Sequence, residues 1–462
     1  MMMLERGFYK ENMKKENIDL KDNKLLWKLT IPIFMEMFFA VIVSNVDQLM
    51  MSSVSQEAVA AVGNGAQLGW VLTLFFNVVA TASTILITQY KGANDEKSVS
   101  LIYPLAIVVN IILGLLLSLV CIFAIRPIFT LLHVEAGQTF EYAVIYMKIV
   151  GGTIISQAML NCFFALLRAN TYVKEAMFVS VLINILNIFG NALTLYVFKM
   201  GVTGVAISTA VSRLIGMTII ICIFHYRIGK VNFSLLKGRE PLLLLKKMVG
   251  IGLPSAGENI SYDVSQLVVT GFVNTLGLAS VNAKIYVCIV VQFAYIFTLA
   301  ISEGTQILEG YLIGAGEKEE AEKRVVKTTI TAVIASEVLT LIIFLFSDQI
   351  IGLFPSADET VLYIAKRMFF IELFLEIGRA INIVMVRCLQ GAGDVKFPVI
   401  MSVIFTWCLS VTLGYILGIL LPFGIYGIWV AMALDENIRC TVLFIHFKKG
   451  KWKKIDLLSA KG

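Results

Sequence analysis

The chain reads as an all-α integral membrane protein with twelve transmembrane helices in two pseudo-symmetric six-helix lobes around a central cavity. Three observations lead there. Of 462 residues 58% are hydrophobic and 15% charged, with a mean hydropathy of +0.84, whereas a soluble domain carries about 25% charged residues. The apolar residues fall in twelve runs, near the roughly 20 residues of helix that a hydrocarbon core about 30 Å thick requires. The last six runs repeat motifs of the first six at one offset.

The runs, taken in order, are 29–51, 58–89, 99–125, 142–167, 174–198 and 201–225, then 247–275, 280–312, 326–346, 361–388, 397–421 and 424–447. The stretch before the first, 1–28, is polar and basic, without the apolar core and small-residue cleavage site of a signal peptide, so the first helix directs insertion. The second and eighth runs exceed the bilayer and are expected to tilt. Several runs hold Pro, Gly or charged residues, which are tolerated where neighbouring helices or an aqueous cavity satisfy the freed groups. The expected organisation is therefore a cytoplasmic N-terminal segment (1–28), an N-lobe (29–225), a cytoplasmic linker (226–246), a C-lobe (247–447) and a cytoplasmic tail (448–462).

Basic residues set the orientation. The two tails and the even-numbered loops, counting Arg168, Lys174, Arg387 and Lys396 as loop residues, hold 29 Lys and Arg against two, Arg126 and Lys199, in the odd-numbered loops. The positive-inside rule then places both termini in the cytoplasm. Ser55 and Ser356 are expected outside, Ser98 and Ser234 inside. The net charge of +6 follows this topology, and no basic stripe with interleaved aromatics points to nucleic acid. The seven cysteines lack zinc-site spacing and read as packing residues.

The repeat is the most informative feature. Pro32 and Glu36 match Pro254 and Glu258, and the same offset pairs Ile85-Leu86 with Ile307-Leu308, Gly92-Ala93 with Gly314-Ala315, and Val173-Lys174 with Val395-Lys396. Gly201 and Gly204 meet Gly424 and Gly427 one residue later. Chance similarity among apolar runs accounts for apolar matches, not for PxxxE or the Gly-Ala loops. Six spans per half keep both halves the same way up, giving a pseudo-twofold axis along the membrane normal and a cavity between lobes.

Ionisable residues inside a bilayer cost about 2.5 to 3.5 kcal/mol each on insertion scales, so they are expected to face a cavity or a partner. In the N-lobe, Glu36 and Asp47 share one face of helix 1, about 16 Å apart along its axis. Helix 5 carries Asn184, Asn187 and Asn191 on one face. A carboxylate beside carboxamides suits a hard cation such as Na⁺ at Asp47 and Asn187, or tunes a protonatable Asp. The alternative role for the asparagines is hydrogen-bonding glue between helices, worth about 1 kcal/mol each. In the C-lobe, Glu258 and Asp263 lie on helix 7, Glu303 and Glu309 on helix 8, Glu337 on helix 9, and Glu372, Glu376 and Arg379 on helix 10. The helix-10 group has the spacing to neutralise itself in part, as do Asp435 and Arg439 on helix 12. Glu258, Asp263, Glu372, Glu376 and Arg379 are the candidate cavity residues.

The runs PIFMEMFFAVIVSNVDQLMMSSVSQEAVAAVG, ITQYKGANDEKSV, LLRANTYVKEAM and INILNIFGN, with GLPSAGEN, GAGEKEEA and RCLQGAGDVKFP in the second half, resemble the multidrug and toxic compound extrusion (MATE) family from about Leu25 to Trp452. The resemblance implies a twelve-helix plasma-membrane antiporter that exports organic cations or amphipathic compounds in exchange for Na⁺ or H⁺. In that pattern the helix-1 Asp after VxxV falls on Asp47, the helix-5 Asn on Asn187 and the helix-6 Thr on Thr209, with Asn191 standing where the family often has Asp. Where the family places a mid-helix carboxylate in helix 10 this chain has Arg379, and Glu376 is the nearest replacement.

Other functions fit less well. No GxxxxGK[ST] cradle for nucleotide phosphates is present, so pumping would draw on an ion gradient. Neither GxSxG nor HExxH appears, which argues against an intramembrane enzyme, and no cofactor is implied. A flippase for lipid-linked oligosaccharides, the nearest rival, would favour a cationic cavity, whereas this one reads as acidic. No filter motif of a channel is visible.

Overall fold

The computed structural model describes residues 23–134, 136–354 and 358–459. Most of the basic N-terminal segment, and Ser356, lie outside the described residues. Twelve long helices fall on the twelve expected runs. They are α1 (Asn23–Ser52), α2 (Gln56–Gly92), α3 (Glu96–Phe123), α4 (Gln138–Val150 and Ile154–Ala169, bent by 51°), α5 (Val173–Ala192) and α6 (Gly201–Arg227). The second half adds α7 (Glu240–Asn274), α8 (Leu278–Gly314), α9 (Lys318–Leu345), α10 (Glu359–Gly391), α11 (Lys396–Phe405, continued by π-helical turns into a span that reaches Leu420) and α12 (Gly424–Lys448). Side-chain oxygens of Ser55, Asp95 and Asp358 accept backbone N–H bonds at the starts of α2, α3 and α10, each satisfying a donor that has no partner inside the helix.

Among the described residues, eight helices are continuous, long and apolar enough to cross a membrane, or nine with the bent α4. The three that fall short, α7, α10 and α12, carry Glu258, Asp263, Glu372, Glu376, Arg379, Arg387, Asp435, Glu436 and Arg439. Such helices do not suit an all-round lipid environment, and they turn their charges inward onto one another.

The duplication extends to backbone geometry. Asn94 and Gly316 both take positive φ (58° and 80°), as do Thr171 and Gly393 (66° and 93°), and both pairs keep the register that sets Pro32 against Pro254. Gly201 and Gly424 share φ of 56° one residue out of that register. π-helical turns end the fifth helix of both halves at equivalent places, Leu193–Val197 after α5 and Ile416–Leu420 after α11. Composition cannot generate such matched irregularities. They mark one ancestral six-helix unit used twice.

One apolar cluster lies within each lobe, around Phe129 and around Phe369, two others draw on both lobes, and the lobes meet closely where α2 and α8 end. Gly92 lies so near Tyr311, and Gly314 so near Gln89, that any Cβ there would collide with a backbone carbonyl. Gln89 Nε2 donates to Gly391 O (2.7 Å) and Tyr311 Oη donates to Ala169 O (2.9 Å), fastening the same mouth. Beyond α12 the chain folds back. Trp452 is fully buried on Phe447 (ring centroids 5.1 Å apart), and Lys453 pairs with Glu319 (2.8 Å) and Glu322 (2.6 Å). Hydrogen bonds from Lys448 and Lys453 hold the Glu322 carboxyl below its usual range.

Candidate functional site in the two lobes

In the N-lobe, one turn of α5 places Asn187 and Asn191 on the face toward α1. Asn191 Nδ2 donates to Asp47 Oδ1 at 2.8 Å. The Asn187 amide is satisfied when its nitrogen faces both Asp47 oxygens (3.1 and 3.2 Å) and its oxygen accepts from Thr209 Oγ1 (3.1 Å). The opposite orientation would set an amide oxygen against a carboxylate. Ser208 Oγ donates to Asn187 O (3.0 Å), and Gly190 leaves no room for a side chain beside Ser208, so α5 and α6 approach closely here. The π turn that follows is a feature common at functional positions. Asp47, Asn187, Asn191 and Thr209 thus converge as the sequence implied. Arg213, one turn beyond Thr209 on α6, is near enough to attract the Asp47 carboxylate. Sequence reasoning missed it, although an arginine in the middle of an apolar run was a visible signal.

Glu36 does not join that group. It pairs with Arg168 (3.3 Å), which also binds Glu303 of α8 at 2.7 Å. Arg168, counted above among the loop residues, is therefore largely buried at the end of α4 and bridges the lobes. The correction has a simple cause: only three-dimensional contact shows that two carboxylates lie within reach of this helix end.

The C-lobe holds the pseudo-symmetric counterpart. In the register of the repeat Glu258 matches Glu36 and Gln390 matches Arg168, and Gln390 Nε2 donates to Glu258 at 3.0 Å. They border a cavity of about 150 Å³ whose charged lining is Glu258, Glu436, Arg379, Arg387 and Arg439. Arg379 pairs with Glu372 (2.7 Å) and Glu376 (2.8 Å), and Trp429 Nε1 donates to Glu372 (2.9 Å). Arg439 pairs with Glu436 (2.7 Å) and Asp435 (3.5 Å), and Asn382 donates to Glu436 (2.6 Å). The helix-10 residues thus neutralise one another as their spacing implied, with Arg379 rather than Glu372 or Glu376 lining the cavity. Two expectations change. Arg387, read as a loop residue, lines this cavity from inside α10, so the lining is not simply acidic. Asp263 stands apart from it, accepting from Trp70 Nε1 of the other lobe at 3.1 Å. Among the described residues no three His, Cys, Asp or Glu side chains converge as a metal site.

Two duplicated helical lobes, each with intramembrane charges turned inward, are an architecture common among membrane transporters. The comparisons make the class specific. The MatE family model matches residues 32–193 and 254–416, two segments that open on the paired prolines Pro32 and Pro254. The chain is 34% identical to the uncharacterized transporter YisQ of Bacillus subtilis, over 92% of this chain and 94% of that one. It is 26% identical to the probable multidrug resistance protein NorM of Thermotoga maritima, with 98% of each covered. An outward-facing multidrug resistance MATE transporter of the MOP superfamily superposes with a TM-score of 0.87 at 19% identity, over 95% of this chain and 99% of that one. The chain belongs to the MatE family and is a multi-pass membrane protein of the transporter class.

Proposed function

We propose that the protein exports organic cations or amphipathic compounds across the plasma membrane in exchange for protons, with Asp47 carrying the exchanged proton and both termini in the cytoplasm. The carrying observation is the environment of Asp47. Both asparagines point N–H donors at its carboxylate, and the Asn187 amide oxygen is taken up by Thr209. Na⁺ needs several oxygens converging on one point, and Arg213 nearby disfavours a second cation. A proton needs only the carboxylate itself. The closed mouth at Gly92 and Gly314 then faces the cytoplasm, following the basic-residue asymmetry, which makes this an outward-directed state.

Competition for charge supplies the coupling. A ligand shifts a conformational equilibrium only by its differential affinity for the two states. Protonation of Asp47 removes the charge that its amide donors and Arg213 hold, so α1 is freed to repack while substrate leaves. The C-lobe carboxylates offset the dehydration of a cationic substrate. A lipid-pyrophosphate flippase would favour a cluster of uncompensated cations, yet two of the three cavity arginines, Arg379 and Arg439, are each held by two carboxylates. Proteoliposomes with pH and Na⁺ gradients imposed separately test the reading. Export driven by the pH gradient alone is expected, and export that follows only Na⁺ would overturn it.

A further inference from the structure

A cavity of about 300 Å³ opens at the end of the bundle that carries the tail, and it shares no lining residue with the C-lobe site. Its walls come from the end of α2, the start of α3, the linker, the first turns of α7 and the tail. Three lysines converge on it, Lys97 from α3 and Lys246 and Lys247 from α7, against one carboxylate, Glu240. The Lys97–Glu240 pair (3.3 Å) is largely exposed on both sides, so solvent screens it. Lys247 donates to the carbonyls of Leu457 and Ser459, which hold the ammonium without neutralising it. Lys246 is exposed and joins no ion pair among the described residues. Asp456 attracts Lys247 from the tail, but its carboxylate is turned into its own loop, accepting from Leu458 N (2.9 Å) and Ser459 N (3.2 Å).

The repeat supplies the contrast. In its register Lys97 at the start of α3 matches Glu319 at the start of α9, and Ser100 matches Glu322. At α9 the chain fills its own site, because Lys453 binds Glu319 (2.8 Å) and Glu322 (2.6 Å) and Trp452 beside it is fully buried. At α3 the sign is reversed, and the chain brings carbonyl oxygens and one exposed carboxylate to three lysines. One end of the scaffold takes a cation of this chain, and the other is left for an anion from outside it. The surroundings say which kind of anion. Leu242 and Leu243, on the first turn of α7, are 69% and 64% exposed. Helical side chains lean toward the N-terminus, so Lys246 and Lys247 reach back along α7 to the level of those leucines. Apolar and cationic side chains at one level describe a membrane interface. A free phosphate would use the lysines and leave the leucines in water, whereas a phospholipid satisfies both.

We infer that this cavity binds an anionic phospholipid of the leaflet on the side of the tail, its phosphate held by Lys97 and Lys246 and its apolar part lying on Leu242 and Leu243. Basic pockets between spanning helices suit such headgroups. Lys247 adds charge from the wall while the tail carbonyls fix its position. No step of the efflux reading depends on this lipid.

The test is equilibrium binding of pyrene-labelled phosphatidylglycerol and phosphatidylcholine to the purified, delipidated full-length protein in a neutral maltoside detergent. A lysine near a membrane surface is worth about fivefold for an anionic lipid, so wild type is expected to prefer phosphatidylglycerol by about tenfold or more. Lys97→Gln combined with Lys246→Gln should bring the preference to within about twofold, with phosphatidylcholine binding and the melting temperature unchanged. Lys449→Gln combined with Lys451→Gln, at exposed lysines on the same side but outside the cavity, should keep it. Glycerophosphoglycerol, the soluble headgroup, should not displace the labelled lipid at equal concentration. Four results would overturn the inference: no preference in wild type, a preference that survives loss of Lys97 and Lys246, an equal loss in the Lys449 and Lys451 variant, or displacement by the soluble headgroup. Each would leave the efflux reading in place.

Discussion

Glu303→Gln unlocks the mouth that α2 and α8 close. In the closed state Arg168 joins Glu36 of α1 to Glu303 of α8, with all three side chains less than a fifth exposed. At an effective dielectric near 20 a pair of unit charges about 4 Å apart attracts by about 4 kcal/mol, an upper bound here because Glu36 still holds Arg168 and glutamine still accepts a hydrogen bond. Loss of the charge alone therefore costs the closed state about 1.5–3 kcal/mol. In the opened state residue 303 would be hydrated, and the substitution would be nearly neutral there. The ratio of closed to open protein should fall about 10- to 150-fold. Spin labels at Ala93 and Ala315, exposed on the two repeated hairpins, report it as growth of a long-distance population. An unchanged distance distribution, with wild-type stability, would refute the reasoning.

Three further outcomes follow from the same contacts. Glu258→Gln should weaken a cationic ligand by about 1.5–3 kcal/mol in equilibrium binding and a neutral analogue much less, whereas equal losses would make Glu258 structural. Trp452→Ala removes a wholly buried indole stacked on Phe447 and should cost about 3–5 kcal/mol, read as a lower melting temperature in detergent. In a cysteine-free background, a Cys at Ser55 should react with an impermeant reagent from outside, and one at Ser98 or Ser234 should not; reversed labelling would invert the orientation.

How far the sequence carries depends on what a single chain encodes locally. Helix number and duplication were legible because length, hydropathy and repeated PxxxE and Gly-Ala motifs are properties of the chain itself. The Asp47, Asn187 and Asn191 grouping was legible because helical periodicity puts the asparagines on one face and the family pattern pairs them with helix 1. Partners across lobes were not. Nothing local distinguishes Arg168 or Arg387, near helix ends, from the solvated lysines beside them, so both read as loop charges. Glu436 escaped notice next to Asp435, although Glu436 makes the shorter contact with Arg439. Glu36 shares a helix face with Asp47, yet Arg168 claims it, because a face about 16 Å long meets more than one neighbour.

The central claim is that Asp47 exchanges a proton for substrate, and substrate-driven proton movement measures it most directly. Proteoliposomes holding a pH-sensitive dye, without any Na⁺ gradient, receive an outward-transported amphipathic cation on the side from which it is exported. Wild type should move protons in the opposite direction. Asp47→Asn, which keeps amide-sized geometry beside Asn187 and Asn191, should still bind the cation but move none. Proton movement at the wild-type rate in Asp47→Asn would contradict the account.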